Sequence, residues 1–129
     1  MMSKWKIFLV DDDELIVSTL SRALKNEGYE VYAETNTMDI IDKIKYRSPD
    51  LVMLDVNLPE RSGIDILQEL KTRVDTQVVM LTADDTDETA VKAMKLGAAD
   101  YLTKPFNMDE LKLALRNILD SIKLKQELA

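Results

Sequence analysis

The chain has 129 residues, no cysteine, no histidine and a net charge of −7, from 17 basic and 24 acidic side chains. These counts fit one globular domain and exclude a disulfide framework, a thiolate nucleophile, a histidine-containing catalytic triad and a metal site of nitrogen and sulfur ligands. The acidic balance also argues against direct nucleic-acid binding, because DNA-binding proteins neutralise phosphates with basic side chains.

The first half of the chain alternates between short apolar runs and segments whose apolar residues have helical spacing. The run Trp5–Val10 predicts a strand that leads into acidic residues. The next segment, Leu15–Lys25, predicts a helix that Gly28 ends. Four further elements are then predicted: a strand over Tyr29–Glu34, a helix over Met38–Arg47 closed by Pro49, a strand over Leu51–Leu54, and a helix capped by Ser62.

The second half continues the same alternation. It predicts a strand over Gln77–Leu81, a helix that opens on a capping box of Asp85 and Glu88 and ends at Gly97, a strand over Ala99–Thr103, and a helix that opens on Asn107 and Glu110 and runs to about residue 126.

Five strands and five helices in strict alternation determine the expected fold class. Continuous apolar strands between helices indicate a parallel sheet covered on both faces. Right-handed crossovers then give an open, doubly wound α/β sheet, and we expect the flavodoxin-like (βα)5 fold with strand order 2-1-3-4-5. We expect one domain over residues 1–120, with residues 121–129 as an overhang of the last helix.

No part of the sequence predicts a membrane segment. Apolar runs stay well short of the roughly 20 residues that a spanning helix needs. The first residues, Met1 to Lys6, lack the apolar region of a secretory signal peptide. We therefore expect no contact with a membrane and a cytoplasmic location.

Polar residues follow the predicted strands where ligands of open α/β sheets bind, beyond the carboxyl ends. In chain order they are Asp11, Asp12 and Asp13 after the first strand, Asp55 after the third, Thr82 after the fourth, and Lys104 with Pro105 after the fifth. With the first and third strands adjacent, Asp11, Asp12 and Asp55 are predicted to converge. Asp13 instead occupies the N-cap position of the first helix.

Three converging carboxylates need compensation. Two unit charges ~4 Å apart repel by roughly 4 kcal/mol at an effective dielectric constant of about 20. Either the pKa of a carboxyl rises or a cation enters, and a chain without cysteine or histidine offers only oxygen ligands. Oxygen ligands favour hard divalent ions, so we expect Mg2+, with Mn2+ as the alternative.

Four motifs in order resemble the receiver domains of two-component response regulators, both the chemotaxis type and the N-terminal domains of enhancer-binding activators. They are IFLVDDD at 7–13, LVMLDVNLPERSG at 51–63, VVMLTA at 78–83 and DYLTKPF at 100–106. The resemblance extends from Lys4 to about Leu119, and each motif falls at a predicted strand end.

The resemblance implies a role for each of these residues. Asp55 is the expected phosphoacceptor, and the expected Mg2+ ligands are Asp11, Asp12, Asp55 and the backbone carbonyl of Asn57. Lys104 is expected to pair with phosphoryl oxygens, and the Thr82 hydroxyl to bond one of them. Tyr101 is the expected switch aromatic that turns inward when Thr82 moves. The Lys104–Pro105 peptide bond is expected to be cis.

The implied function is signal relay without enzymatic turnover. A sensor histidine kinase supplies the phosphoryl group, and the altered receiver controls a partner or a C-terminal output domain. A carboxylate attacks phosphorus without a general base, which suits a chain without histidine. Mg2+ and Lys104 neutralise charge on the transferred group, the main demand of phosphoryl transfer.

Two other functional classes fit a similar fold. Aspartyl-phosphate phosphatases use a second aspartate two residues after the nucleophile, and this chain has Asn57 there. A flavodoxin-like binding module needs a phosphate-cradling loop of Ser, Thr or Gly after the first strand, where this chain has three acids.

The last helix is longer than the sheet requires. Its predicted apolar face excludes Leu124 and Leu128, which are expected to overhang. Two interpretations remain open: a frayed charged tail, or a linker helix that pairs two chains or leads to an output domain. The resemblance also offers the face of the fourth helix, fifth strand and fifth helix as a homodimer surface.

Overall fold

The computed structural model describes residues 4–83 and 87–128, and strands and helices alternate throughout these two stretches. The strands are β1 (Lys6–Val10), β2 (Glu30–Glu34), β3 (Leu51–Asp55), β4 (Gln77–Thr82) and β5 (Asp100–Thr103). The helices are α1 (Glu14–Asn26), α2 (Ile40–Arg47), α3 (Gly63–Arg73), α4 (Asp87–Lys95) and α5 (Met108–Leu128).

The strands form one parallel sheet in the order β2-β1-β3-β4-β5, which confirms the predicted flavodoxin-like fold. Its register fixes the edge at which ligands bind. Val10 pairs with Leu54, and Asp55 pairs with Leu81. Asp11 therefore lies level with Asp55 on the neighbouring strand, and Thr82 lies one position further along β4.

Side chains of the strands alternate between two cores, one on each face of the sheet, as the period of two in a strand requires. Phe8 and Val10 belong to the core beneath α2, α3 and α4, while Ile7 and Leu9 belong to the core beneath α1 and α5. β3 is buried along its whole length. Both faces are covered, as predicted from the continuous apolar strands.

Three predicted helix caps are confirmed. Asp13 accepts hydrogen bonds from the backbone N–H groups two and three residues further on, and Asn107 does the same at α5. Ser62 accepts one from the N–H two residues on. Each bond satisfies an N–H that the first helical turn leaves without a partner. The predicted capping box of Asp85 and Glu88 lies outside the described residues at Asp85.

Several element boundaries differ from the prediction by one or two residues; β2 and β5, for example, each begin one residue later, at Glu30 and Asp100. α2 begins at Ile40 rather than Met38, because Asp39 adopts a left-handed conformation with φ of 52° and Asn36 accepts a hydrogen bond from the Met38 N–H in the preceding turn. β1 begins at Lys6, one residue after Trp5.

α5 continues as one helix of 21 residues to Leu128, slightly beyond the predicted end. Leu111, Leu115 and Leu119 are buried against the sheet, whereas Leu124 and Leu128 are 56% and 79% exposed. The predicted overhang of Leu124 and Leu128 is therefore observed. No helix in the described part of the chain is long and apolar enough to span a lipid bilayer.

Candidate functional site

Asp11, Asp12 and Asp55 meet at the carboxyl end of β1 and β3. Each contributes one carboxylate oxygen to a group in which all oxygens lie within 4.8 Å of one another. Asp11 and Asp55 are buried, and Asp12 is exposed. The donor set consists of oxygen only and opens to solvent at Asp12. It therefore fits a hard divalent cation that keeps part of its water shell.

Lys104 reaches this cluster from the end of β5. Its Nζ lies 2.6 Å from Asp11 Oδ2 and 3.4 Å from Asp55 Oδ2. The following Lys104–Pro105 peptide bond is cis, as the resemblance implies. The sequence predicted Lys104 beside the acids but did not predict that Asp11 would be its nearer partner.

The charges at the site are unevenly balanced. Burial raises the pKa of Asp55, and the negative charge of Asp11 raises it further, against the lowering effects of the Asn57 N–H and of Lys104. For Lys104, burial acts to lower the pKa, but hydrogen bonds and charge attraction from Asp11 and Asp55 outweigh it and leave the pKa raised. One ammonium group thus faces three carboxylates, and the residual negative charge favours a cation.

Thr82 and Asn57 complete the site on the side of β4. Thr82 is fully buried at the end of its strand, and its Oγ1 accepts a hydrogen bond of 3.1 Å from Asn57 Nδ2. The backbone N–H of Asn57 donates to Asp55 Oδ1 at 3.0 Å. Asn57 therefore contacts both the candidate acceptor and the candidate switch hydroxyl, a link that the sequence alone did not reveal.

Tyr101 lies in β5 opposite Met80, two register positions before the pair of Thr82 and Thr103. Its ring is partly buried and packs against the core beneath α2, α3 and α4. This position is consistent with the switch role expected for Tyr101. Movement of its ring on phosphorylation remains a prediction.

Gly63 is a site residue to which the sequence analysis assigned no role. A Cβ built on it would lie 2.0 Å from the backbone oxygen of Asp55 and 2.8 Å from Cα of Val56. Its N–H donates to the Val56 carbonyl at 2.9 Å, so the loop after β3 folds back onto the acceptor. The only signal in the sequence was a glycine directly after the capping residue Ser62.

Trp5, the single tryptophan, provides a test of this layout. It precedes β1, six residues from Asp11, which corresponds to roughly 20 Å along an extended chain. We expect its fluorescence to change little when Mg2+ is added, because the predicted ion site lies at the other end of the sheet. Titration of the protein with MgCl2 after EDTA treatment measures this, and a large quench would contradict the arrangement.

Comparison with known proteins agrees with this geometry. The family described as response regulator receiver domain matches residues 7–116. The signal receiver domain of a putative LuxO repressor protein from Vibrio parahaemolyticus is 30% identical, with 98% of each chain covered and a TM-score of 0.91. The beryllofluoride-activated NtrC4 receiver domain dimer is 32% identical, with 90% of this chain and 97% of that one covered and a TM-score of 0.84.

A third similar structure carries the modification itself. It is a response regulator from Burkholderia pseudomallei with a phosphorylated aspartic acid, a calcium ion and citrate. Identity is 27%, coverage is 97% of this chain and 74% of that one, and the TM-score is 0.81. Receiver domains act as phosphoryl acceptors and switches. The family match over most of the chain, together with the acidic cluster and its lysine, shows that this chain belongs to the response regulator receiver domains.

Proposed function

We propose that Asp55 accepts a phosphoryl group from a sensor histidine kinase in the cytoplasm, with Mg2+ at the acidic cluster, and that the resulting conformational change controls a partner or output domain. The observation that carries the proposal is the convergence of Asp11, Asp12 and Asp55 within 4.8 Å, with Lys104 against them. This arrangement gives a carboxylate nucleophile and compensating charge in one place.

The transfer itself requires little from the protein beyond position and charge. A carboxylate oxygen of Asp55 forms a bond to phosphorus while the bond from phosphorus to the donor's imidazole nitrogen breaks, and the donor histidine leaves with that electron pair. The carboxylate anion is itself the nucleophile, so the transfer needs no general base to remove a proton. Lys104, held near the site by its two carboxylate partners, pairs with the incoming phosphoryl oxygens.

The residues that would hold Mg2+ are Asp11, Asp12, Asp55 and, through its backbone carbonyl, Asn57. Bound there, the ion supplies positive charge that neutralises the transferred group. The exposure of Asp12 supports Mg2+, which retains several waters, and Mn2+ is the alternative. The similar response regulator from Burkholderia pseudomallei contains a calcium ion as well as a phosphorylated aspartic acid, which supports divalent-cation binding by a phosphorylated protein of this fold.

Thr82 and Tyr101 would transmit the change. The Thr82 hydroxyl sits one register position beyond the pair of Asp55 and Leu81, close enough to respond to a group on the acceptor. Movement of Thr82 toward a phosphoryl oxygen opens space beside β5, and the partly buried ring of Tyr101 turns into it.

The decisive test is the intact mass of the protein after incubation with acetyl phosphate and Mg2+. We expect a single phosphoryl adduct on the wild-type chain, no adduct after EDTA treatment, and no adduct on Asp55→Asn. An equal adduct on Asp55→Asn would overturn the assignment. Sustained turnover of phosphate esters would instead indicate a phosphatase, which Asn57 argues against because its side chain is an amide that donates to Thr82.

Pairing of two chains through α5 is the second part of the proposal. Leu124 and Leu128 are exposed on the overhanging turns, and the similar NtrC4 receiver is described as a dimer. The face of α4, β5 and α5 is the competing surface, because Val91 and Met94 on α4 are half exposed. The same helix would lead into an output domain in a longer protein.

Sedimentation velocity separates these surfaces. With beryllofluoride and Mg2+ we expect a dimer for the chain as it stands and a monomer for a chain that ends at residue 119. Dimers of both chains would indicate the α4 face. Monomers of both would count against pairing.

A further inference from the structure

The hydrogen bond between Asn57 and Thr82 is the contact from which a new role follows. Asn57 Nδ2 donates to Thr82 Oγ1 at 3.1 Å; Asn57 lies in the loop after β3, and Thr82, 25 positions later, is the last residue of β4. Thr82 is fully buried, whereas Asn57 is exposed. When this bond breaks, the exposed amide of Asn57 can bond to water instead, at little cost in free energy. The main effect of the bond is therefore on the position of the buried Thr82 side chain.

Asn57 is not free to follow Thr82. Its backbone N–H donates to Asp55 Oδ1 at 3.0 Å, which fixes the residue to the acceptor carboxylate. A threonine hydroxyl can accept one hydrogen bond and donate another, so the bond to Asn57 does not by itself block a bond to a phosphoryl oxygen. The role proposed below requires that phosphorylation carries Thr82 Oγ1 out of reach of the anchored amide. With that displacement the two positions of Thr82 compete, one within reach of Asn57 and the other beside the phosphoryl group.

We propose that the side-chain amide of Asn57 holds Thr82 in its unphosphorylated position and thereby sets the equilibrium between the resting and switched conformations. This rests on the proposed phosphorylation of Asp55 and adds a positioning residue to it. A typical neutral hydrogen bond shifts such an equilibrium by a factor of about two to ten. Removal of the amide is expected to raise the population of the switched conformation by that factor, without any change in the groups that touch the phosphoryl.

The direct readout is the methyl resonance of Thr82 in a protein labelled at threonine methyl groups. Wild type in EDTA and wild type saturated with beryllofluoride and Mg2+ define the two end points. In Asn57→Ala, measured in EDTA, we expect this resonance to move toward the beryllofluoride end point. The matched control is Asn36→Ala, which removes another exposed asparagine at the same edge, bonded to the Met38 N–H, and is expected to leave the resonance unchanged.

Beryllofluoride affinity gives the second readout. When the switched state is a minor population, the apparent Kd falls in proportion to the increase in that population. Asn57→Ala is therefore expected to bind beryllofluoride about two- to tenfold more tightly at saturating Mg2+. The same substitution in a Thr82→Ala background, which has no hydroxyl to hold, is expected to leave the Kd unchanged.

Three outcomes would overturn the proposal: a Thr82 resonance that stays in place or moves away from the end point, an unchanged or weaker Kd in Asn57→Ala, or an equal tightening in the Thr82→Ala background. Failure of the phosphorylation proposal looks different, because wild type would then bind no beryllofluoride at all. A general loss of stability is also distinguishable, since it would not move one methyl resonance along the line between two folded states.

Discussion

Replacement of Gly63 by alanine is expected to abolish phosphorylation of Asp55 and to lower the free energy of unfolding by about 3 kcal/mol. The added Cβ would lie 2.0 Å from the backbone oxygen of Asp55, 2.9 Å from its carbonyl carbon and 2.8 Å from Cα of Val56. All three atoms belong to the backbone, so no side-chain rotation relieves the overlap. Either the end of β3 or the first turn of α3 must move.

The loss of phosphorylation follows from that movement. Asp55 is the last residue of β3, and its carboxylate must remain within reach of Asp11, Asp12 and Lys104. A displacement of about 1 Å at a reacting group costs on the order of a hundredfold in rate. The rate of adduct formation with acetyl phosphate and the urea unfolding midpoint measure the two effects separately.

Gly28→Ala is the matched control for this prediction. A Cβ at Gly28 meets no atom within 4 Å, but its φ of +94° is strained for alanine. We expect a loss of about 1 kcal/mol in stability with no change in phosphorylation, because Gly28 follows α1 at the edge opposite the site. A Gly63→Ala protein that matched Gly28→Ala in both measurements would show that β3 and α3 absorb the extra atom without displacing Asp55.

The sequence was sufficient to predict which residues meet at the site, because that depends on topology. Strict alternation of apolar strands and helices predicts the parallel sheet. The residues at the carboxyl ends of its strands must then lie at the same edge of the sheet. The structure brings Asp11, Asp12, Asp55, Thr82 and Lys104 together there. The same reasoning located the caps at Asp13, Ser62 and Asn107.

Features that depend on loop conformation were beyond the reach of sequence patterns. The approach of Gly63 to Asp55 results from how the loop after β3 folds back, and no periodicity encodes it. The preference of Lys104 for Asp11 depends on distances that differ by less than 1 Å. The late start of α2 follows from one backbone angle at Asp39, which apolar spacing cannot reveal.

The crowded negative charges of Asp11, Asp12 and Asp55 are expected to have a second large effect, on the free energy of unfolding with and without Mg2+. Burial and the nearby charge of Asp11 raise the pKa of Asp55. A carboxyl whose pKa is raised by folding contributes stability below its unfolded pKa, near 3.9, and loses it as the pH rises through the folded value. At neutral pH and without metal, the ionised carboxylate of Asp55 therefore works against the fold.

Asp55→Asn is expected to raise the free energy of unfolding in EDTA at pH 7 by about 1–2 kcal/mol, because it removes the cost of burying a charge and the repulsion by the neighbouring carboxylates, less the attraction of Lys104. Lys104 keeps its nearer partner in the variant, because its Nζ lies 2.6 Å from Asp11 Oδ2. The difference in the free energy of unfolding between Asp55→Asn and wild type should shrink as the pH falls through the raised pKa of Asp55. Urea unfolding in EDTA at several pH values measures it.

Saturating Mg2+ should make the wild type more stable than Asp55→Asn. A ligand at a hundred times its Kd stabilises the native state by about 2.7 kcal/mol, and only the wild type keeps all three carboxylates to bind it. Asp12→Asn is the matched control, because Asp12 belongs to the cluster but is exposed. We expect that variant to lose the Mg2+ response yet to change by less than about 0.5 kcal/mol in EDTA, since an exposed charge is largely screened. The contrary result would be an Asp55→Asn protein that is less stable than wild type in EDTA. It would mean that Lys104 alone neutralises the negative charge of the buried carboxylates, so that the site would not need a cation.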